Sequence, residues 1–293
     1  MDTNPAAAGF SASKLQRISA HLQENYIQPG KIAGCQVMVS RHGTPAYFQS
    51  LGEMDRERGK PVADDTIFRI YSMTKPITSI ALMMLFEEGR FQLNDPVYRF
   101  LPAWRGQQVW VQGTGEDMET RPPASPMTMR HILSHTAGLT YGALLPIDPH
   151  PVDAVYQQLG VNRGDGETIQ TFADKMAQVP LRYDPGTKWL YSLATDVCGC
   201  LVEAISGQKF EDFLQQRIFE PLGMQDTAFW VPEEKVERFA ANYERARDKS
   251  LRLIDDPQAS KYLQPPSFPS GGGGLVSTTA DYAKFCEMLR LRG

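Results

Sequence analysis

The segment Thr66–Arg90 (TIFRIYSMTKPITSIALMMLFEEGR) constrains the fold of this chain more than any other stretch. It begins as a strand-like run, passes through a sharp turn and continues as a helix. In that helix Ile77, Ile80 and Met84 follow helical spacing, and other apolar side chains fill a second face. A helix that is apolar nearly all round is normally buried, so the pattern predicts a helix at the centre of the molecule.

Further helices and strands are predicted near both ends of the chain. The runs Ala33–Ser40 and Pro45–Leu51 are strand-like, and His42-Gly43 between them is typical of a hairpin turn. Amphipathic helices are predicted for Leu15–Tyr26 and, after a capping sequence, for Ala280–Leu291. These elements favour an α/β layer with a largely helical insertion.

The middle of the chain differs in composition, because helices separated by Pro/Gly loops predominate there. A length of 293 residues fits one large domain or two small ones. We predict a single domain, residues 1–293, in which residues 1–94 and 267–293 form the α/β part. Residues 95–266 form a mostly helical part, and a cleft is expected between the two.

Composition and charge exclude several functional classes. Thirty Lys and Arg residues against 34 Asp and Glu give a net charge of −4, which does not favour nucleic-acid binding. The longest apolar run, Ile80–Phe86, is far too short to cross a bilayer. The first 25 residues lack the pattern of a secretory signal, and the four cysteines are too few for a disulfide framework. We therefore expect a cytoplasmic protein with free thiols that binds neither nucleic acid nor membrane.

Two histidines raise the question of a metal site. His131 and His135 are four residues apart on a helix predicted for Thr128–Gly138, a spacing that suits zinc. The phrase supplies no third ligand, so packing of the helix is the favoured interpretation. No metal or organic cofactor is predicted.

The pattern Ser-x-x-Lys can place a lysine amine beside a nucleophilic serine, because residues i and i+3 lie on one face of a helix. The chain contains this pattern three times, beginning at Ser11, Ser72 and Ser206. Ser11 lies in a polar N-terminal stretch, and Ser206 lies at the end of a predicted helix, where carbonyl groups are exposed. Only Ser72 follows a strand and opens a buried helix, so Ser72 and Lys75 are the candidate pair; the alternative is that Ser72 only caps the helix.

Tyr191 is a candidate general base. It precedes a helix predicted from about Ser192 to Ser206, and a nearby lysine would lower the pKa of its phenol. The alternative is that Tyr191 packs beside Trp189 without a chemical role.

These candidates lie within a longer set of phrases that occur in one order. The phrases are YSMTK (Tyr71–Lys75), Glu87–Pro102, ILSHTAGL (Ile132–Leu139), DPGTKWLYSLATDVCG (Asp184–Gly199), Ser206–Phe229 and SGGGGLVSTTADYAKF (Ser270–Phe285). In order and spacing, the chain resembles the serine β-lactamase/penicillin-binding-protein superfamily over roughly residues 10–293. Within it, the chain is most similar to the class C-like branch that includes family VIII carboxylesterases.

The resemblance implies an α/β (α+β) fold of the serine β-lactamase type, in which an antiparallel sheet is flanked by helices beside a mostly helical region. It also implies an acyl-enzyme mechanism. It implies that Ser72 is the acylated nucleophile, Lys75 its activating partner and Tyr191 the base that relays protons. It also implies an oxyanion hole of two backbone N–H groups, one of them that of Ser72.

Two departures from the family pattern bear on function. Lactamases of this branch have Tyr-x-Asn, whose Asn binds the substrate amide, whereas this chain has Leu193 at that position. Poor binding of β-lactam side chains is therefore expected. The third motif of the family, on a strand that borders the cleft, has no counterpart before Gly293. The C-terminal strands are accordingly expected to be missing, and the domain to be C-terminally incomplete.

The favoured function is that of a serine hydrolase. Within that class, a carboxylesterase acting on short-chain esters is favoured over the other activities. A class C-like β-lactamase, a D-aminopeptidase and a transesterase remain open as alternatives from the same family. So does a catalytically inactive protein that binds acyl ligands, because the third motif is absent. The expected partner is a small-molecule ester or β-lactam-like substrate, and the sequence leaves the oligomeric state unknown.

Overall fold

A computed structural model of the protein describes residues 1–142, 149–161 and 166–293. Its internal contacts divide the chain into two compact units. Unit 1 consists of residues 1–69, 222–265 and 276–293, and unit 2 of residues 70–221 and 266–275. The single domain predicted from the sequence, with its inner boundaries at residues 94 and 267, stays a prediction.

Helices and short antiparallel strands make up the described residues. The strands are β1 (Gly34–Arg41), β2 (Thr44–Asp55), β3 (Lys60–Pro61), β4 (Phe68–Arg69), β5 (Val109–Gln112), β6 (Glu119–Arg121), β7 (Asn242–Arg245), β8 (Leu251–Asp255) and β9 (Val276–Ser277). The α-helices are α1 (Ala12–Leu22), α2 (Thr74–Glu87), α3 (Met129–Leu133), α4 (Pro151–Gln158), α5 (Ile169–Gln178), α6 (Ala194–Ser206), α7 (Phe210–Leu214), α8 (Glu220–Leu222) and α9 (Thr279–Arg290). None of the helices in the described ranges is long and apolar enough to cross a bilayer.

Unit 1 is built on the hairpin of β1 and β2, as the sequence predicts. His42 and Gly43 form its two-residue turn with φ angles of 52° and 79°. Positive φ at both positions matches the twist of the flanking strands. The strand β3 extends the hairpin in the order β1-β2-β3, while β4 pairs with β9 and β7 with β8. All of these pairs are antiparallel.

The N-terminal helix packs on this hairpin. Leu15 of α1 lies in one buried cluster with Ala46 and Tyr47 of β2. The helix predicted for Leu15–Tyr26 is present, but its last part, Gln23–Ile27, is a π-helical turn. At the other end of the chain, Thr278 caps α9 by accepting a hydrogen bond from the backbone N–H of Asp281 at 3.1 Å.

The core of unit 2 contains the two apolar helices α2 and α6, which pack against each other. In α2 the residues Ile77, Leu82 and Leu85 are at most 1% exposed, so the predicted buried helix is present, in the core of unit 2. Most side chains of α6 are also buried. That helix ends as predicted, with Gly207 at a φ of 74° in the left-handed region that glycine tolerates.

One predicted helix is much shorter than expected. The sequence predicts a helix over Thr128–Gly138, whereas α3 ends at Leu133 and His135 has a φ of 55°. The backbone beyond α3 pairs instead with the segment before α6: the N–H groups of Arg182 and Leu190 donate to the carbonyls of Gly138 and His135. These tertiary hydrogen bonds replace the helical ones, so the expectation that His131 and His135 share a helix is wrong.

Candidate active site

Ser72 lies at the start of the buried helix of unit 2. It belongs to a 3-10 turn, Tyr71–Met73, that runs directly into α2. Tyr71 before it has a φ of 41°, an unfavourable conformation for a residue with a side chain. Such strain costs roughly 1–3 kcal/mol and occurs mostly at functional sites. The result is a sharp elbow that leaves Ser72 exposed.

Lys75 reaches Ser72 from one helical turn further on. Its ammonium group donates to Ser72 Oγ at 3.1 Å and to the carbonyl oxygen of Gly272 at 2.6 Å. The proline that follows, Pro76, is still in the first turn of α2, where its missing N–H breaks no helical hydrogen bond. Lys75 is therefore held between the serine and a backbone carbonyl.

Tyr191 approaches Ser72 from the segment before α6. Its hydroxyl donates to Ser72 Oγ at 2.9 Å, across 119 residues of sequence. The ring lies nearly parallel to those of Tyr141 and Trp189, with centroids 5.3 and 6.3 Å away. Lys75 Nζ lies 4.8 Å from the centroid of the same ring. The structure thus brings together the three site residues predicted from the sequence; their roles stay a prediction.

The environment of Tyr191 lowers the pKa of its phenol. Partial burial acts in the opposite direction and is the largest single influence. Hydrogen bonds with Lys75, Ser72 and Tyr141, together with the positive charge of Lys75, outweigh it. A phenol with a lowered pKa forms phenolate more readily and is therefore a better proton acceptor near neutral pH.

His135 is a neighbour of the site that the sequence did not identify as such. Its ring lies 5.1 Å from that of Tyr191, and its Nδ1 lies 3.3 Å from Ser192 Oγ. Burial, assisted by the charge of Lys75, lowers the pKa of His135 to about 4, although Asp196 acts to raise it. The imidazole is therefore neutral at pH 7. His135 lies in the phrase ILSHTAGL, but nothing in its spacing indicated contact with Tyr191.

The other two Ser-x-x-Lys matches lie in different settings. Ser11 is exposed before α1, and its hydroxyl is hydrogen-bonded to that of Ser13. Ser206 is the last residue of α6, and its Oγ accepts from the N–H of Gln208. Both hydroxyls make local hydrogen bonds at helix ends.

Two further sequence interpretations can be compared with the structure. Leu193 is fully buried beneath the site, so the position contributes packing to the core. The run of four glycines at Gly271–Gly274 favours tight backbone turns. Three of them do lie in a turn, but none has a positive φ. They permit close approach instead, since a Cβ on Gly272 would lie 2.4 Å from Asp196 Oδ2.

The acidic, histidine and cysteine side chains of the described residues do not form a metal site. Within residues 1–142, 149–161 and 166–293, no group of three or more His, Cys, Asp or Glu side chains is arranged to hold a metal ion. The groups that converge on Ser72 are a hydroxyl and an ammonium, which suit proton transfer and stabilisation of negative charge.

Comparison with known proteins identifies the family. A family model described as Beta-lactamase matches residues 19–293. This chain belongs to the Beta-lactamase family. The resemblance to the serine β-lactamase/penicillin-binding-protein superfamily drawn from the sequence is thereby confirmed.

Several known proteins are similar to this chain over most of its length. Esterase EstB of Burkholderia gladioli is 30% identical over 98% of this chain. Protein Rv1367c of Mycobacterium tuberculosis is 34% identical over 89% of the chain. Among solved structures, EstCE1, a hydrolase with promiscuous acyltransferase activity, has a TM-score of 0.78 and 29% identity over 95% of the chain.

These matches confirm the β-lactamase-like fold, and the relatives of the chain include proteins named as esterases and acyltransferases. The chain spans 73% of the length of EstB, 63% of Rv1367c and 74% of EstCE1.

Proposed function

We propose that this chain is a serine carboxylesterase that hydrolyses short-chain esters through an acyl-enzyme in which Ser72 carries the acyl group. The observation that carries the proposal is the convergence of Lys75 Nζ and Tyr191 Oη on Ser72 Oγ, at 3.1 and 2.9 Å. A nucleophile with a base in hydrogen-bond reach is the arrangement that covalent acyl transfer requires.

In the first half-reaction, Ser72 Oγ attacks the carbonyl carbon of the ester while its proton passes to the phenolate of Tyr191. The Lys75 ammonium stabilises the negative charge on this pair of oxygens. The backbone N–H of Ser72 is one donor to the oxyanion that forms on the carbonyl oxygen. When the intermediate collapses, the C–O bond to the alcohol breaks and Tyr191 returns the proton to the departing oxygen.

In the second half-reaction, water takes the place of the alcohol. Tyr191 accepts a proton from the water as its oxygen attacks the acyl carbon. The Ser72–acyl bond then breaks, the proton passes to Ser72 Oγ, and a carboxylic acid leaves. Each proton that Tyr191 accepts is given back, so the site returns to its starting state.

The residue at position 193 favours esters over β-lactams. Leu193 lacks the amide with which lactamases of the class C-like branch bind their substrates, and its side chain is fully buried. An ester of a short acid has no amide side chain to satisfy, so the absence of this group costs it nothing. β-Lactams are therefore expected to be poorer substrates.

The proposal is tested with p-nitrophenyl acetate, butyrate and dodecanoate, together with nitrocefin as the lactam. We expect turnover of the acetate and butyrate, and a loss of at least about 10³-fold in kcat/KM for Ser72→Ala, as for other serine nucleophiles. Ser206→Ala is the matched control, because Ser206 begins the same Ser-x-x-Lys pattern, and it should keep wild-type activity.

A covalent label separates the nucleophile from contaminating activity. A fluorophosphonate should add once to the protein, with the adduct on Ser72, and should not add to Ser72→Ala. An unlabelled wild-type protein with no ester turnover would overturn the proposal and leave an acyl-ligand-binding role.

A second candidate, acyl transfer to an alcohol, is supported by the similarity to EstCE1, whose described activities include acyl transfer. Chemically it differs only in which hydroxyl attacks the acyl-enzyme. Adding 1-butanol to the p-nitrophenyl acetate assay tests it. Formation of butyl acetate would favour transfer, whereas acetate as the sole acyl product would exclude it under these conditions.

A further inference from the structure

Asp196 is a buried carboxylate close to the proposed active site. It lies in the first turn of α6, five residues after Tyr191, and is 1% exposed. The partial positive charge at the start of a helix stabilises a carboxylate there. Burying a charged group is nevertheless costly unless it is hydrogen-bonded, so its hydrogen bonds indicate what it does.

The hydrogen bonds of Asp196 lead to the glycine-rich segment Ser270–Leu275. Oδ1 accepts from Ser270 Oγ at 2.5 Å and from the backbone N–H of Gly272 at 3.1 Å. The approach is close enough to exclude any larger residue. A Cβ on Gly272 would meet Asp196 Oδ2 at 2.4 Å, and one on Gly271 would meet the carbonyl oxygen of Thr195 at 2.7 Å.

The same segment also contacts α2, the helix that carries Lys75. The carbonyl of Gly272 accepts from Lys75 Nζ at 2.6 Å, and that of Gly271 accepts from Thr78 Oγ1 at 2.8 Å. The N–H of Gly272 therefore donates a hydrogen bond to Asp196, and its carbonyl oxygen accepts one from Lys75. A single peptide segment links the carboxylate of one helix to the ammonium of the other.

We infer that Asp196 is a positioning residue: by holding the Ser270–Gly272 turn, it keeps the Gly272 carbonyl against Lys75 and so fixes the ammonium beside Ser72. The inference rests on the proposed function, in which Lys75 stabilises charge on Ser72 and Tyr191. Without Asp196 the turn loses two hydrogen bonds, and the carbonyl that restrains Lys75 is free to move. An error of about 1 Å in such a group can cost roughly 10²-fold in rate.

The test compares Asp196→Ala and Asp196→Asn with the wild type. The control is Glu203→Gln, which makes the same carboxyl-to-amide change two turns further along α6, where Glu203 accepts from the N–H of Phe210. Two readouts are needed: the second-order rate at which a fluorophosphonate labels Ser72, and kcat and KM for p-nitrophenyl acetate. Each is divided by the fraction of folded protein measured by circular dichroism.

For Asp196→Ala we expect labelling and kcat to fall about 10²-fold per folded molecule, with KM changed by less than about threefold. Asp196→Asn keeps an acceptor for the turn and should lose about tenfold, since hydrogen bonds to charged groups are roughly twice as strong as neutral ones. A purely structural role would lower the folded fraction and leave the rates per folded molecule unchanged, and that result would overturn the inference.

A double mutant tests whether Asp196 acts on Lys75 through the Ser270–Gly272 turn. Ser270→Ala removes one of its two hydrogen bonds and should slow labelling on its own. In the Asp196→Ala background the same change should have little further effect, because the partners belong to one network. Fully additive losses would contradict the inference. If wild-type Ser72 is not labelled at all, the proposed function fails; if it is labelled and Asp196→Ala labels equally fast, only the positioning role fails.

Discussion

Replacing Tyr191 with phenylalanine removes one hydroxyl from the site and leaves most of its structure in place. The phenylalanine ring still stacks on Tyr141, whose centroid lies 5.3 Å from that of Tyr191. What is lost is the oxygen 2.9 Å from Ser72 Oγ, which is the proposed proton acceptor. The folded state loses about 1 kcal/mol, the usual net value of one hydrogen bond.

The expected effect on catalysis is much larger. A positioned general base contributes about 10²–10⁴-fold, which corresponds to about 2.7–5.4 kcal/mol of activation free energy. We therefore expect kcat/KM of Tyr191→Phe for p-nitrophenyl acetate to fall by at least about 10²-fold at pH 7.5. Thermal unfolding followed by circular dichroism checks that the variant is folded.

The pH profile of kcat/KM gives a sharper test. The phenolate of Tyr191 forms as the pH rises through its pKa, so wild-type activity should rise with pH, and the lowered pKa moves that rise below the usual range for tyrosine. His135, with a pKa of about 4, is already neutral above pH 5.5, so its titration does not cause this rise of kcat/KM with pH, called here the basic limb. Tyr141→Phe removes a hydrogen bond that lowers the pKa of Tyr191, so the basic limb should shift to higher pH.

Tyr191→Phe should lose the basic limb altogether. A variant that keeps more than a tenth of wild-type kcat/KM, or that keeps the basic limb unchanged, would refute Tyr191 as the base. The remaining candidate for that role would then be Lys75.

Three further substitutions test other parts of the structure. Leu193→Asn should lower stability to urea by at least about 1–3 kcal/mol, because it buries an amide among apolar groups. Leu82→Ala, in the fully buried face of α2, should lower stability by about 2–5 kcal/mol in the same titration. Asp226→Asn removes a carboxylate whose pKa is lowered to about 2, chiefly by hydrogen bonds from Arg238. That stabilisation is present above the unfolded-state pKa of 3.8 and is lost as the pH falls through 2. The variant should therefore be about 1 kcal/mol less stable at pH 7, after allowance for partial exposure, and should approach the stability of the wild type only below a pH of about 2.

Local patterns in the sequence predicted local structure well. The all-round apolar run predicted the buried helix α2, and the His42-Gly43 pair predicted the hairpin turn, since both depend on residues close together in the chain. The contact of Lys75 with Ser72 follows in the same way from helical geometry.

Long-range contacts were accessible only through the family resemblance, or not at all. Tyr191 lies 119 residues from Ser72, and no spacing rule links them. The sequence places His135 in a helix because Thr128 and Gly138 are typical helix ends. Hydrogen bonds to a distant segment prevail there and turn the residue to a positive φ. The sequence around Gly271–Gly274 does not indicate that Gly271 and Gly272 pack closely against α6, although this packing is what leaves no room for a Cβ.

The packing of α2 against α6 has a consequence for how such a protein can change over evolutionary time. Ser72 and Lys75 are carried by the first turns of one helix, and Tyr191 by the residues that lead into the other, so the distances among them depend on the shared core. Trp189 and Met73, by contrast, project from the same region with 65% and 48% of their surface exposed. Substitutions at these outer positions can change the surface next to Ser72 and Tyr191 without disturbing the core. The exposed surface beside Ser72 can therefore change one residue at a time while the distances among Ser72, Lys75 and Tyr191 are kept.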